Sequence, residues 1–457
     1  MDEPKAIDPP YVPPTLPYAP PPPPPRRSAW GTIIAWIVIL LIVGYLVVAA
    51  VLPEIRGKTR TSGDTSDMQL AITTKYLLGV RSFISQANDQ LLSQIDRTAR
   101  SPLQRLHVAI VAGELSGGEE ALNRLDKVDT EAPEFRDDID TLRTIYLRGA
   151  EALEPAARDK LIARHEFFAR LALIYGTPAN DLSRTTLLEG CRRVAIAFFG
   201  FFVILLLAGV SGFVLLILAI VFYFSGTIKP AYVRPTQNAG IYAEMFAVYL
   251  FSYAGLSLAL VLLMHGTISF AWSWGLCIVV PLAVGWGMLR GLSWQEIRHS
   301  LGWHAGRGAL IEVPMGIVGY LAGLPIVAAG FAVTYALLML THIVPSHPIQ
   351  NAPTDTATGV LVLYSIAAVW APLIEESMFR GALYHHLRGS FNPIISGLIV
   401  GLIFASIHPQ GWTFIPVLGA IGFNFCLMRE WRGSLIAPMI AHGLNNFAMI
   451  TLLVFVK

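Results

Sequence analysis

The chain has 457 residues, 54% of them hydrophobic and only 14% charged, and its mean hydropathy is +0.56. That balance belongs to a membrane protein rather than to a soluble domain. A net charge of +2 leaves no basic footprint for nucleic acid, and three cysteines (Cys191, Cys277, Cys426) with no CxxC spacing argue against a disulfide framework or a zinc ribbon.

Residues 1–29 form a proline-dense tail that ends in an unbroken run from Pro20 to Pro25 and then Arg26-Arg27. So few core-forming side chains leave the tail disordered and extended. It reads as a linker, with a polyproline-binding protein as its one conceivable partner. Residues 30–52 are apolar throughout, long enough to cross about 30 Å of hydrocarbon, and read as an uncleaved transmembrane anchor. Residues 53–193 change character. Charges return, and apolar positions recur at helical spacing over 68–84, 91–111 and 160–175, punctuated by Pro102, Gly117-Gly118, Pro133 and Pro178. A soluble helical domain is expected here, free to recruit or sense a partner, with His107 and His165 as isolated histidines.

From residue 194 to residue 457 the pattern is that of a polytopic bundle. The expected spans are 194–224, 246–264, 268–289, 309–340, 360–387, 393–412, 413–430 and 435–456. With the anchor, the fold class is all-α, a transmembrane bundle of about nine spans carrying an inserted helical domain. One set of span ends carries Lys229, Arg234, Arg290, Arg298, Arg307, Arg380, Arg388, Arg429 and Arg432, while the alternate ends at 265–267, 341–359 and 409–412 hold no Lys or Arg. Arg56, Lys58, Arg60, Arg192 and Arg193 go with the long helical domain, which translocates largely regardless of charge. By the positive-inside rule the arginine-rich ends face the cytoplasm and the helical domain lies outside. Glu312, near the start of its span, is expected at the interface, and His385-His386 at the mouth of the bundle.

The motif-bearing core is 355–457. Glu375-Glu376-x-x-x-Arg380 places two carboxylates and a guanidinium in an apolar helix, where each charge costs about 2.5–3.5 kcal/mol at the bilayer centre. Glu376 and Arg380 are i,i+4 neighbours and can pair, which leaves Glu375 about 100° around the axis without that partner. Phe404-x-x-x-His408 and His442-x-x-x-Asn446 each project an i,i+4 pair from one face of two later helices. At about 1.5 Å per residue, Glu375, His408 and His442 lie roughly 18, 22 and 15 Å from the arginine-rich end, so one pocket can hold all three.

Any one of these groups alone is commonly a helix–helix hydrogen-bond partner. The whole set suits hydrolysis. A carboxylate in apolar surroundings is a good acceptor for a proton of water, a neighbouring histidine can share that proton, and a histidine with an amide can stabilise an oxyanion. Ser377 lacks an adjacent base. A metal is the competing way to activate the same water, although no HExxH is present.

The order Glu-Glu-x-x-x-Arg, Phe-x-x-x-His, His-x-x-x-Asn resembles the CAAX protease and bacteriocin-processing (CPBP, or ABI) family of intramembrane endopeptidases, and within it the type 2 CAAX prenyl proteases. The resemblance implies that Glu375 is the general base assisted by His408, that His442 and Asn446 form the oxyanion site, and that Glu376, Arg380 and Phe404 support the pocket. No cofactor is favoured; were zinc required, Glu375, His408 and His442 would be its ligands. The implied partners are the lipid bilayer and a membrane-embedded or lipidated peptide or protein substrate, and the implied location is a bacterial-type plasma membrane. The competing expectations are a non-catalytic immunity or scaffold protein, a proton-coupled carrier, and a zinc-dependent form of the same protease.

Overall fold

The computed structural model describes residues 29–55, 63–84, 88–96, 99, 101–128, 133–235, 237–263, 278–341, 354 and 356–456. Residues 1–28 of the expected tail and residues 264–277, which include the first part of the expected 268–289 span, lie outside them. Among the described residues there are helices and turns and no strand.

Helix α1 (Trp30–Ile55) is the first apolar span, and it is built into the bundle along α9 (Ala239–Leu263). Ala35 and Ile39 are buried, and the Trp36 indole N–H donates to His386 Nε2 at 3.0 Å.

Six helices follow: α2 (Gly63–Arg81), α3 (Asn88–Asp96), α4 (Pro102–Ser116), α5 (Gly118–Leu125), α6 (Pro133–Arg148) and α7 (Pro155–Leu173). They enclose one apolar core that includes Leu91, Leu106, Ile110, Leu142 and Phe168. The expected helix over 91–111 is two helices. Pro102 occupies the first turn of α4, and Ser101 and Gln104 close a capping box there, so the chain starts afresh. His107 and His165 are not isolated. Their rings meet at 3.1 Å, Asp138 lies 3.2 Å from His165 Nε2, and His107 stacks on Phe168. Burial, with His165 alongside, pushes the His107 pKa down to about 3.

Helix α8 (Leu182–Phe224) runs 43 residues without a break, about 65 Å at the usual rise. Asp181 caps its start by accepting from the Ser183 and Arg184 N–H groups. The span expected from residue 194 therefore begins twelve residues earlier, inside the helical domain. Cys191 and Ala195 are buried there against Gly79 of α2. The same helix then continues as a membrane span.

The remaining helices are α10 (Val279–Leu289), α11 (Trp294–Leu301), α12 (Ala309–Thr341), α13 (Ala357–Arg388), α14 (Pro393–Ser406), α15 (Ile415–Arg432) and α16 (Ile436–Val456). Among the described residues seven helical stretches are long and apolar enough to cross a membrane: α1, α8, α9, α12, α13, Trp412–Arg432 and α16. α10 and α14 are shorter apolar helices. The chain is a multi-pass integral membrane protein.

Three arginines at the arginine-rich end are paired inward. Arg290 meets Glu244 at 2.7 Å, Arg388 meets Glu430 at 3.0 Å and Arg432 meets Glu312 at 2.8 Å. Glu312 is thus not interfacial: it is fully buried, because two N–H groups of Arg432 satisfy both its oxygens. His385 and His386 are likewise inside. Tyr232 bonds His385 at 2.7 Å, and His386 is held between Trp36 and the Ala239 carbonyl.

Candidate active site

Helix α13 carries the acidic pair and is irregular around it. Residues Ser365–Trp370 and Ser377–Leu383 are π-helical, with the N–H groups of Ala371 and Tyr384 reaching carbonyls five residues back. Pro372 lacks the N–H that the Ala368 carbonyl would otherwise accept, and Gly443 of α16 packs against that carbonyl. Wide turns of this kind redirect side chains and recur at functional sites.

The two carboxylates diverge as their spacing predicts. Glu376 is fully buried, and its Oε1 accepts from Arg380 Nη1 at 2.8 Å and from His442 Nδ1 at 2.8 Å. Arg380 is also fully buried. It donates to the Gly422 carbonyl at 3.1 Å and lies over the Phe404 and Phe425 rings. Three glycines let this happen. Gly401 on α14 faces the Gly419 carbonyl and Gly422 on α15 faces Gly401, so the two helices touch backbone to backbone beneath the guanidinium.

Glu375 points to a different place, with 24% of its side chain exposed. Its Oε2 lies 3.8 Å from His408 Nε2 and 3.8 Å from His442 Nε2, and it has no hydrogen-bond partner. Three helices thus bring Glu375, His408 and His442 to one point. The expected 393–412 span is shorter than its apolar run, since α14 ends at Ser406 and His408 sits in the turn that follows. There its Nδ1–H donates to the Phe404 carbonyl at 2.6 Å, and its ring packs on Phe404.

These second contacts set the tautomers. With Nδ1–H of His408 on a carbonyl and Nδ1–H of His442 on Glu376, both Nε2 atoms of the neutral rings present lone pairs toward Glu375. Three acceptors facing one point repel one another unless something with protons lies between them. A separation of 3.8 Å is too long for a direct hydrogen bond and leaves space for an oxygen about 2.8 Å from each. Ligands of a tetrahedral zinc ion stand closer, about 3.4 Å apart. Among the described residues no group of three or more His, Cys, Asp or Glu side chains is placed to hold a metal ion.

Asn446 makes hydrogen bonds of its own. Its Nδ2 donates to the Ala367 carbonyl at 2.8 Å, and its Oδ1 accepts from Asn445 at 3.2 Å, which ties α16 to the first π segment. Two neighbours carried no sequence signal. Phe425 stacks on His442 with centroids 5.3 Å apart, and Trp303 donates to Ser377 Oγ at 2.8 Å, while Ser377 donates to the Leu373 carbonyl. Phe425 lies two residues from Phe423 in an apolar helix and Trp303 in the basic turn 302–307, and only tertiary packing singles them out.

A multi-pass helical bundle with a Glu/His cluster buried between its C-terminal spans is one class of membrane protein, and sequence comparison narrows it. Residues 357–448 match the family described as "Type II CAAX prenyl endopeptidase Rce1-like". The chain is 28% identical over 137 residues to the membrane-embedded CAAX protease MroQ of Staphylococcus aureus (strain USA300), covering 27% of this chain and 55% of that protein. It is 39% identical over 72 residues to the protein YpbD of Bacillus subtilis (strain 168), covering 15% of this chain and 33% of that one. The chain therefore spans about half or less of the length of these curated relatives. The family match lies in its C-terminal spans, which carry the Glu375, His408 and His442 cluster. No solved structure matches it significantly.

Proposed function

We propose that this protein is an intramembrane endopeptidase in which Glu375 activates water. The reading rests on one observation: Glu375 Oε2 has no hydrogen-bond partner and stands 3.8 Å from the Nε2 atoms of both His408 and His442. A water held between them is a nucleophile already beside its base.

In the proposed step Glu375 takes a proton from that water as its oxygen adds to the peptide carbonyl carbon. The carbonyl π electrons move to oxygen, and that oxyanion is lined by His442, which Glu376 orients through Nδ1, and by Asn446. Asn446 uses one N–H to hold Ala367 and has the second for the same oxyanion. When the C–N bond breaks, the proton passes through Glu375 and His408 to the departing nitrogen. Arg380 and Phe404 hold Glu376 and His408 in place. The substrate is a membrane-embedded or lipidated peptide or protein segment, in keeping with a relative named as a membrane-embedded CAAX protease.

The test is a reporter peptide anchored in liposomes with the purified protein. His408→Gln and His442→Gln should each slow cleavage by about 10²-fold or more. Unchanged rates in both variants would remove this reading.

A further inference from the structure

At the arginine-rich end, beside the helix that carries the acidic pair, lies an open, shallow cavity of about 530 Å3. One wall is apolar, made by Leu435, Ile436 and Met439 at the start of α16. The other is Arg298 in the last turn of α11 and, after it, the turn to α12 with Gly302, Trp303 and His304. No carboxylate lines it.

The turn is held rigidly. Leu435 N–H donates to the Gly302 carbonyl at 3.1 Å, Ser434 Oγ donates to the His304 carbonyl at 2.8 Å, and Trp303 donates to Ser377. His304 Nδ1 accepts from the Gly306 N–H at 3.2 Å, so in the neutral ring the Nε2 carries the proton, which the Gly433 carbonyl accepts. Burial and the nearby Arg429 lower the His304 pKa, which keeps the ring in that neutral form.

The electrostatics are unbalanced. Arg298 is exposed and makes no ion pair among the described residues. Behind Gly302 lies Arg429, only 2% exposed, with its guanidinium carbon 2.6 Å from where a Cβ on Gly302 would sit. Gly302 has φ +85°, and any side chain there would collide with that guanidinium. Arg429 donates to the Ser300 carbonyl at 2.9 Å, but its Nε and Nη1 have no acceptor. The adjacent Glu430 is already engaged by Arg388 and Tyr384. A buried guanidinium this poorly compensated is stabilised by an anion nearby.

We propose that this cavity binds the phosphate headgroup of an anionic phospholipid. Arg298 holds the phosphate, Arg429 supplies field from behind Gly302, and the apolar wall takes the glycerol and first acyl carbons. A lipid is favoured by position, since α12 begins at Ala309 and α16 at Ile436, which puts the cavity at headgroup depth. Trp294 and Trp303, 5.9 Å apart, and Leu310, 93% exposed, mark the same level. Basic pockets between spans bind such headgroups.

The test is native mass spectrometry of the full-length protein from mixed micelles of phosphatidylglycerol and phosphatidylcholine. The readout is retained lipid, so it stands or falls separately from the peptidase reading. The wild type should retain phosphatidylglycerol about five-fold over phosphatidylcholine, as one basic contact supplies. Arg298→Gln should bring the ratio near parity with an unchanged melting temperature, and Arg298→Lys should restore it. A wild type without preference, or Arg298→Gln with full preference, overturns the proposal. So does displacement of the lipid by inorganic phosphate, which would make this a free-anion site. Displacement by a peptide with a free C-terminal carboxylate, but not by its amide, would assign the cavity to substrate instead.

Discussion

Adjacent glutamates on one helix turn have opposite circumstances here, and their variants should behave in opposite ways. Glu376 neutralises Arg380 in a site with no solvent, so Glu376→Gln leaves a buried guanidinium without its counter-charge. A loss of about 3–5 kcal/mol is expected, read as a lowered thermal midpoint of the detergent-solubilised protein. Glu375→Gln should leave that midpoint unchanged, because Glu375 Oε2 bonds nothing. The pairing of Glu376 with Arg380 was legible in the sequence from i,i+4 spacing, whereas setting His408 and His442 beside Glu375 needed the depths of the two later helices. The hydrogen bond from His442 to Glu376 was not legible, because it joins residues 66 positions apart. Metal removal belongs at this scale too. On the water-mediated reading, dialysis against a chelator leaves cleavage intact; activity lost with chelation and regained with stoichiometric zinc would replace the mechanism by a metal-centred one on Glu375, His408 and His442.

Among elements, α14 and α15 depend on their glycines. Gly401→Leu would drive a side chain into the Gly419 carbonyl, 2.6 Å from the position of a Cβ. The helices must part, with a loss of about 1–3 kcal/mol, and Phe404 and His408 move with α14, so cleavage should fall even where protein remains folded. The helical domain has its own pH dependence. His107 is held below its unfolded value of 6.5, at about 3, so the unfolded chain binds the extra proton between those limits. Stability of this domain is full above about pH 6.5 and falls as the pH drops toward 3. Limited proteolysis of the full chain should show residues 63–173 opening earlier at acid pH, and His107→Gln should flatten that dependence. Sequence periodicity located these helices but not their breaks. The Pro102 start needed the Ser101–Gln104 cap, and the paired histidines were hidden because α4 and α7 meet only in three dimensions.

At the scale of the whole molecule, α1 and α8 link the helical domain to the bundle. α1 enters beside Glu244 and His386 at the arginine-rich end, and α8 leaves the domain as one unbroken rod. The domain therefore sits at the end of the bundle opposite the arginines. If the arginine-rich end is cytoplasmic, a membrane-impermeant thiol reagent applied to intact cells should label Glu151→Cys and spare Arg307→Cys; the reverse pattern would invert the topology. Apolar run lengths showed the spans in outline. They missed the early start of α8 and the early end of α14, because a cap and a turn, rather than hydropathy, set those limits.

The central claim is that the point where Glu375, His408 and His442 converge is where a peptide bond is hydrolysed. Cleavage of a membrane-anchored reporter by purified wild-type protein and by Glu375→Gln, with products read by mass spectrometry, tests it most directly. The account predicts cleavage by the wild type and a loss of at least about 10²-fold in a variant that remains folded. Equal cleavage by both would contradict it.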